Sequence, residues 1–60
     1  MPKFQLYIGK DRLYRWRLIA SNGENICWGE GYSSKQNALN SIAFVKKHSG
    51  QAPIVDSTKI

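Results

Sequence analysis

The chain has 60 residues, a length that allows one domain over residues 1–60. A chain this short buries only about 60% of the surface that its unfolded form exposes, so its core is small. Nine Lys and Arg residues against four Asp and Glu give a net charge of +5, which favours anionic partners. The single cysteine, Cys27, excludes an internal disulfide, and no apolar run approaches the roughly 18 residues that span a bilayer.

Three alternating segments predict a meander of three antiparallel strands. Residues 3–8 and 13–20 alternate with a period of two, which is typical of half-buried strands. Asn22-Gly23 then predicts a tight hairpin into a third strand at 25–29. One face is predicted to be apolar, with Phe4, Leu6, Ile8, Tyr14, Trp16, Leu18, Ile26 and Trp28. The opposite face is predicted to carry Lys3, Gln5, Tyr7, Arg15, Arg17 and Cys27, and the chain leaves no element to cover it.

A helix is predicted from the serine pair at 33–34 to about His48. Ser33 with Gln36 three residues later is typical of a capping box, in which the two side chains satisfy two backbone donors. The apolar stripe of this helix is predicted to comprise Ala38, Leu39, Ile42, Phe44 and Val45. Residues 54–55 are predicted to form a short fourth strand, and residues 56–60 a fraying tail. The order β-β-β-α-β predicts an α+β fold with an antiparallel sheet and the helix on its apolar face.

These residues resemble the YegP-like family of small bacterial and archaeal proteins. The resemblance rests on Arg-Trp-Arg-Leu at 15–18, the Asn-Gly turn, Glu-Gly-Tyr-Ser-Ser-Lys at 30–35 and Val-Lys-Lys at 45–47, and it covers about residues 4–56. It implies a β3-α-β unit that occurs as tandem repeats or as a two-fold dimer with exchanged C-terminal strands. One unit in this chain implies a homodimer in which Ile54 and Val55 pass to the partner. Cys27 and Trp28 are unusual for the family, which supplies a fold but no activity.

The small core also predicts self-association on physical grounds. Small domains often add a disulfide, a metal or a partner chain, and only Cys27 and His48 are soft metal ligands here. Neither a metal nor a cofactor is therefore predicted, whereas a homodimer is. A lone cysteine is typical of a reducing cytoplasm, and no signal peptide or membrane partner is predicted.

The sequence predicts no enzyme. Glu30 is expected to have a structural role at the helix entry, His48 to complement the helix dipole, and Cys27 to be an inert thiol. No nucleophile, base and orienting group converge in the pattern, so no catalytic residue is predicted.

The candidate binding residues are Lys3, Tyr7, Arg15 and Arg17 on the uncovered sheet face. The predicted function is a binding or interaction module that uses this face for a protein or a small acidic ligand. The alternative is single-stranded nucleic acid, because basic and aromatic groups interleave there as they do on sheets that bind single strands. A solvated face without a ligand is the third interpretation of the same residues, since solvent-facing strands commonly carry such side chains.

Overall fold

A computed structural model describes residues 1–58 of the chain. Strands β1 (Lys3–Ile8), β2 (Tyr14–Ile19) and β3 (Asn25–Trp28) precede helix α1 (Lys35–His48), and a 3₁₀ turn follows at Ser49–Gln51. The strands form one antiparallel sheet in the order β1-β2-β3. The predicted α+β class is confirmed as three antiparallel strands followed by one helix. The end of the predicted fraying tail, Lys59 and Ile60, lies outside the described residues.

A short turn sets the register between β1 and β2. The Gly9 N–H donates to the Leu13 carbonyl at 2.9 Å, and the Asp11 side chain accepts from the Leu13 N–H at 3.1 Å. Arg12 takes the left-handed conformation with φ of 63°. Phe4 therefore lies opposite Leu18, and Leu6 opposite Trp16, so the predicted apolar alternation of both strands shares one face.

The hairpin from β2 to β3 forms at Asn22-Gly23, where Gly23 has a φ of 90° that favours glycine. A β-bulge then interrupts the pairing at Leu18 and Ile19. Beyond the bulge, Cys27 lies opposite Leu18 and Trp28 lies opposite Arg17. Because directly opposed residues point to the same side of a sheet, the predicted faces of β3 are wrong.

Both faces of the sheet therefore differ from the predicted ones at residues 27 and 28. Cys27 points to the helix side, whereas Trp28 points to the uncovered side beside Arg17. Ile26, at the bulge, is 57% exposed and contributes little to the core.

Helix α1 packs on β1 and β2 over Trp16, which is only 4% exposed. The Trp16 ring meets Phe4 edge to face at 5.7 Å between centroids, and Ala38 is fully buried. The Trp16 Nε1–H donates to Ser41 Oγ at 3.0 Å, and the Tyr32 hydroxyl donates to the same oxygen at 2.9 Å. One helix serine thus joins the central strand to the segment that enters the helix.

The N-cap of the helix lies one residue later than predicted. Ser34 is the N-cap, and its hydroxyl accepts from the Asn37 N–H at 3.1 Å. The capping box of Ser33 with Gln36 is therefore wrong, because Gln36 instead donates along the helix to Asn40. The predicted end at His48 is confirmed.

The predicted fourth strand does not form within the single chain. Residues 52–58 pair with no strand among the described residues, and Ile54 and Val55 are 96% and 80% exposed. Water satisfies the backbone groups of this exposed segment, but the apolar side chains of Ile54 and Val55 remain unburied.

Candidate binding face

The side of the sheet opposite α1 is covered by no element among the described residues. We call it the open face. It comprises the strand side chains of Lys3, Gln5, Tyr7, Arg15, Arg17, Ile19, Asn25 and Trp28. Gln5, Arg17 and Trp28 form one row across the three strands, and Tyr7 lies opposite Arg15 in the next row.

Arg17 lies at the centre of the open face in a fixed orientation. Its Nε–H donates to Gln5 Oε1 at 2.7 Å, and its guanidinium carbon lies 4.4 Å from the centroid of the Tyr7 ring. This stack is a cation–π contact of the kind that stabilises a cation over an aromatic face. Arg17 makes no ion pair within residues 1–58, so its charge is available to an anion.

Arg15, one of the predicted binding residues, also contacts the β1–β2 turn. Its guanidinium forms an ion pair with Asp11, whose carboxylate also accepts the Leu13 N–H. The hydrogen bond from Arg15, followed by the one from Leu13, lowers the pKa of Asp11, and the same contact raises the pKa of Arg15. A Cβ at Gly9 would lie 2.9 Å from the Arg15 side chain, so this glycine makes room for it. Arg15 thus contacts the β1–β2 turn through Asp11, whose carboxylate compensates the charge of the guanidinium.

Trp28 is the open-face residue that sequence reasoning missed. Its side chain is 69% exposed, although tryptophan is highly buried on average. The loop alone does not give its orientation. The Ala20 N–H donates to the Glu24 carbonyl and closes a three-residue loop over residues 21–23, and the bulge at Leu18 and Ile19 then shifts the register so that Trp28 lies opposite Arg17. The open face therefore has two aromatic side chains instead of one.

Most of the chain is similar in sequence to known proteins. Residues 10–56 match a family model described as a domain of unknown function, DUF1508. The chain belongs to this family. Curated relatives of this DUF1508 chain include a UPF0339 protein of Agrobacterium fabrum, 43% identical over 58 residues, with 97% of this chain and 94% of the relative covered. A UPF0339 protein of Treponema denticola is 43% identical over 54 residues, covering 90% and 93% of the two chains. The resemblance to the YegP-like family is confirmed.

Solved structures share the fold of the DUF1508 chain. A solution NMR structure of a protein from Haloferax volcanii has a TM-score of 0.86 at 35% identity, and covers 93% of this chain and 95% of that one. A solution NMR structure from Agrobacterium tumefaciens has a TM-score of 0.79 at 43% identity, with 97% and 94% covered. The family description indicates no catalytic function.

The residues weighed for catalysis lie apart in the DUF1508 chain. The His48 ring stacks on Phe44 at 4.5 Å between centroids, at the end of α1. Cys27 is half-buried on the helix side of β3, and Glu30 is exposed beyond the end of that strand. Within residues 1–58, no three His, Cys, Asp or Glu side chains converge.

Two shallow hollows border the helix side of the DUF1508 chain. One, of about 440 Å³, is lined by Tyr32, Asn37, Asn40, Ser41 and Phe44. The other, of about 380 Å³, is lined by Leu6, Tyr7, Ile8, Tyr14 and Lys35. Neither lining set includes a carboxylate or the histidine, so neither brings an acid–base pair to a substrate. Over the described part of the chain, no helix has the length and apolar character to cross a bilayer.

Proposed function

We propose that this DUF1508 chain is a non-catalytic binding module whose open face contacts an anionic partner. The observation that carries the proposal is the group of Arg17, Tyr7 and Trp28. Arg17 is oriented by Gln5 and by the Tyr7 ring, and it lies opposite the exposed Trp28. A pre-oriented cation beside an exposed ring recognises a ligand at a low entropic cost, since little side-chain freedom remains to be lost.

The electrostatics of the open face support an anionic partner. No strand residue of this face carries a carboxylate, and Asp11, in the turn beside Arg15, is ion-paired with that arginine. Lys3 lies exposed at one end of the face, beyond Arg17. The positive potential therefore centres on Arg17 and Lys3, whereas Arg15 adds little.

An NMR titration of the full chain tests the binding face. Amide shifts are recorded against a panel of an acidic peptide, inorganic polyphosphate and a short oligonucleotide. We expect the largest shifts at Arg17, Trp28 and their neighbours on β1 and β2. Saturable shifts confined to α1, or a panel that leaves the open face unchanged, would refute this binding site.

We also propose that two chains form a homodimer by exchanging their C-terminal segments. Support comes from Ile54 and Val55, which extend into solvent without a strand partner in the single chain. Ile8 on β1 and Leu39 and Phe44 on α1 are exposed as well, so the single chain leaves much apolar surface uncovered. Burying a side chain of this size contributes roughly 1.5–3 kcal/mol, and strand exchange is a low-cost way to achieve it.

Sedimentation of the full chain and of a variant ending at residue 52 tests the exchange. The full chain is expected to sediment as a dimer, and removal of residues from Pro53 onward is expected to give a monomer or an unfolded chain. A second variant, Ile54→Asn with Val55→Asn, keeps the full length while removing the apolar pair. It is expected to weaken the dimer as the truncation does. A folded dimer of the truncated chain would contradict the exchange.

A reducing cytoplasm is the compartment that we propose for the protein. The chain has one cysteine, and Cys27 is a half-buried thiol rather than part of a bridge. Free thiols are typical of compartments that keep cysteines reduced.

A further inference from the structure

We propose that the partner of the open face is single-stranded nucleic acid, with one base stacked on Trp28 and another on the Arg17–Tyr7 pair. This inference rests on the proposed binding role of the open face and names its ligand. Three observations lead to it: the position of Trp28 on this face, the orientation of Arg17, and the distribution of charge.

The open face has two flat surfaces on which a base can stack, which we call platforms: the Trp28 indole and the Arg17 guanidinium over Tyr7. Trp28 presents an exposed indole, and the guanidinium of Arg17, lying over Tyr7, presents a second planar surface. Unpaired bases stack on aromatic rings and on guanidinium planes alike. Each such stack is tolerant of sequence, because every base has a π-face.

The two platforms are far enough apart to hold different bases. Trp28 and Tyr7 lie on the two outer strands, one same-face row apart. With strands about 4.8 Å apart and same-face rows about 7 Å apart, their Cα atoms are separated by roughly 12 Å. A single base cannot reach from one platform to the other, so a bound strand crosses the sheet diagonally from Trp28 toward Tyr7.

Charge then selects a polyanion over a neutral partner. Arg17, which forms part of the second platform, has no carboxylate partner in the described chain, and Lys3 lies exposed in the next row of the same face. A phosphate between the two stacked bases would lie near Arg17. A folded acidic protein could also meet this charge, but it offers no series of flat, unpaired rings for two separated platforms.

A duplex is a poor match for the same surface. Its bases are stacked on one another, so neither the exposed Trp28 ring nor the Arg17 guanidinium over Tyr7 has a free base to receive. Proteins that read the major groove insert a helix or a two-stranded ribbon into it, whereas the open face is a three-stranded sheet surface. The prediction is therefore a preference for single strands, with duplex binding limited to weak phosphate contacts.

Fluorescence anisotropy with a labelled oligonucleotide of about 12 nucleotides tests the proposal, because site sizes of about 4–16 nucleotides are ordinary for small single-strand binders. The comparison set is the mixed-sequence single strand, as DNA and as RNA, its duplex, and an abasic oligomer with the same number of phosphates. We expect the single strand to bind most tightly. Equal affinity for the abasic oligomer would overturn the proposal, since it would show that phosphates alone are bound.

Substitutions locate the two platforms. Trp28→Ala is expected to weaken single-strand binding roughly 5- to 150-fold, as the loss of one stacked base does, and Trp28→Phe is expected to recover most of it. Arg17→Gln is expected to weaken binding and to lower the salt slope by about 0.7 for each phosphate that the arginine neutralises. Lys47→Gln is the matched control, because Lys47 is an exposed cation on α1, and it is expected to bind as the wild type does.

The outcomes separate this inference from the proposed binding role. Unchanged affinity of both Trp28→Ala and Arg17→Gln, with their circular dichroism spectra intact, would overturn the nucleic-acid site. If the acidic peptide shifts open-face amides while the oligonucleotide does not, single-stranded nucleic acid is refuted and the binding role of the face stands. Shifts confined to α1 for both the oligonucleotide and the acidic peptide would refute both.

Discussion

Gly29 lies against the buried indole of Trp16, and Gly29→Ala measures how much of the stability depends on that contact. A Cβ at position 29 would lie 2.2 Å from Trp16 Nε1, 2.4 Å from Cε2 and 2.8 Å from Cζ2. Atoms cannot share that space, so either the indole or the backbone after β3 must move. The Gly29 N–H also donates to the Trp16 carbonyl at 3.1 Å, which ties the two residues together.

The expected cost follows from what the indole would lose. Trp16 is 4% exposed, between Phe4 and α1, so it cannot swing out into solvent. Overpacking of this kind costs about 1–3 kcal/mol, and displacement of Nε1 from Ser41 Oγ removes a hydrogen bond worth about 0.5–1.5 kcal/mol. We expect Gly29→Ala to lower the free energy of unfolding by about 2–4 kcal/mol. A domain of 60 residues has about 3–9 kcal/mol in total, so the loss is a large fraction.

Urea unfolding followed by near-UV circular dichroism measures this change, at one fixed protein concentration for all variants. Since 1 kcal/mol corresponds to about 4–8 °C in a domain of this size, the melting temperature is expected to fall by roughly 8–30 °C. Gly50→Ala is the matched control, because a Cβ there meets nothing within 4 Å, and it is expected to change the stability by at most about 0.5 kcal/mol. Equal unfolding midpoints for the two alanine variants would refute the argument.

Two further predictions concern hydrogen bonds within the fold. Ser41→Ala leaves the partly buried donors of Trp16 and Tyr32 without their shared acceptor, and is expected to lower the free energy of unfolding by about 1–3 kcal/mol in urea titrations; an unchanged midpoint would argue against the shared acceptor. The hydrogen bond from Arg15 lowers the pKa of Asp11 below its ordinary value near 3.8, so its contribution is complete above that pH and is lost as the pH falls through the lowered pKa. Melting curves recorded below pH 4 are expected to show a shallower loss of stability for Asp11→Asn than for the wild type, and an NMR titration placing the Asp11 pKa at or above 3.8 would contradict the ion pair.

The candidate binding residues show where sequence reasoning was sufficient. Lys3, Tyr7, Arg15 and Arg17 lie on the face that their alternation predicts, because β1 and β2 are regular and one shared register orients both. Their environments were not predictable in the same way. Arg15 forms an ion pair with Asp11, and Arg17 donates a hydrogen bond to Gln5. These contacts depend on which side chains the fold brings together.

Trp28 shows the opposite case. Its apolar character suggested the buried face, but a side chain on a short edge strand is oriented by the hairpin that precedes it. The loop at Asn22-Gly23 and the bulge beside Ile19 decide that Cys27 faces the helix. Register changes by whole residues, and each single step reverses every side chain of the strand, so a composition argument cannot resolve it.

The sequence by itself determined the local elements: three strands, the turns between them, the helix end at His48 and the family. These depend on backbone propensities and periodicity over a few residues, which are local quantities. Tertiary structure alone decided that Ser41 receives both Trp16 and Tyr32, that Gly29 must lack a side chain, and that Trp28 joins Arg17 on the open face. Each of these contacts joins residues on different elements, and its geometry exists only once the sheet register and the helix position are set together.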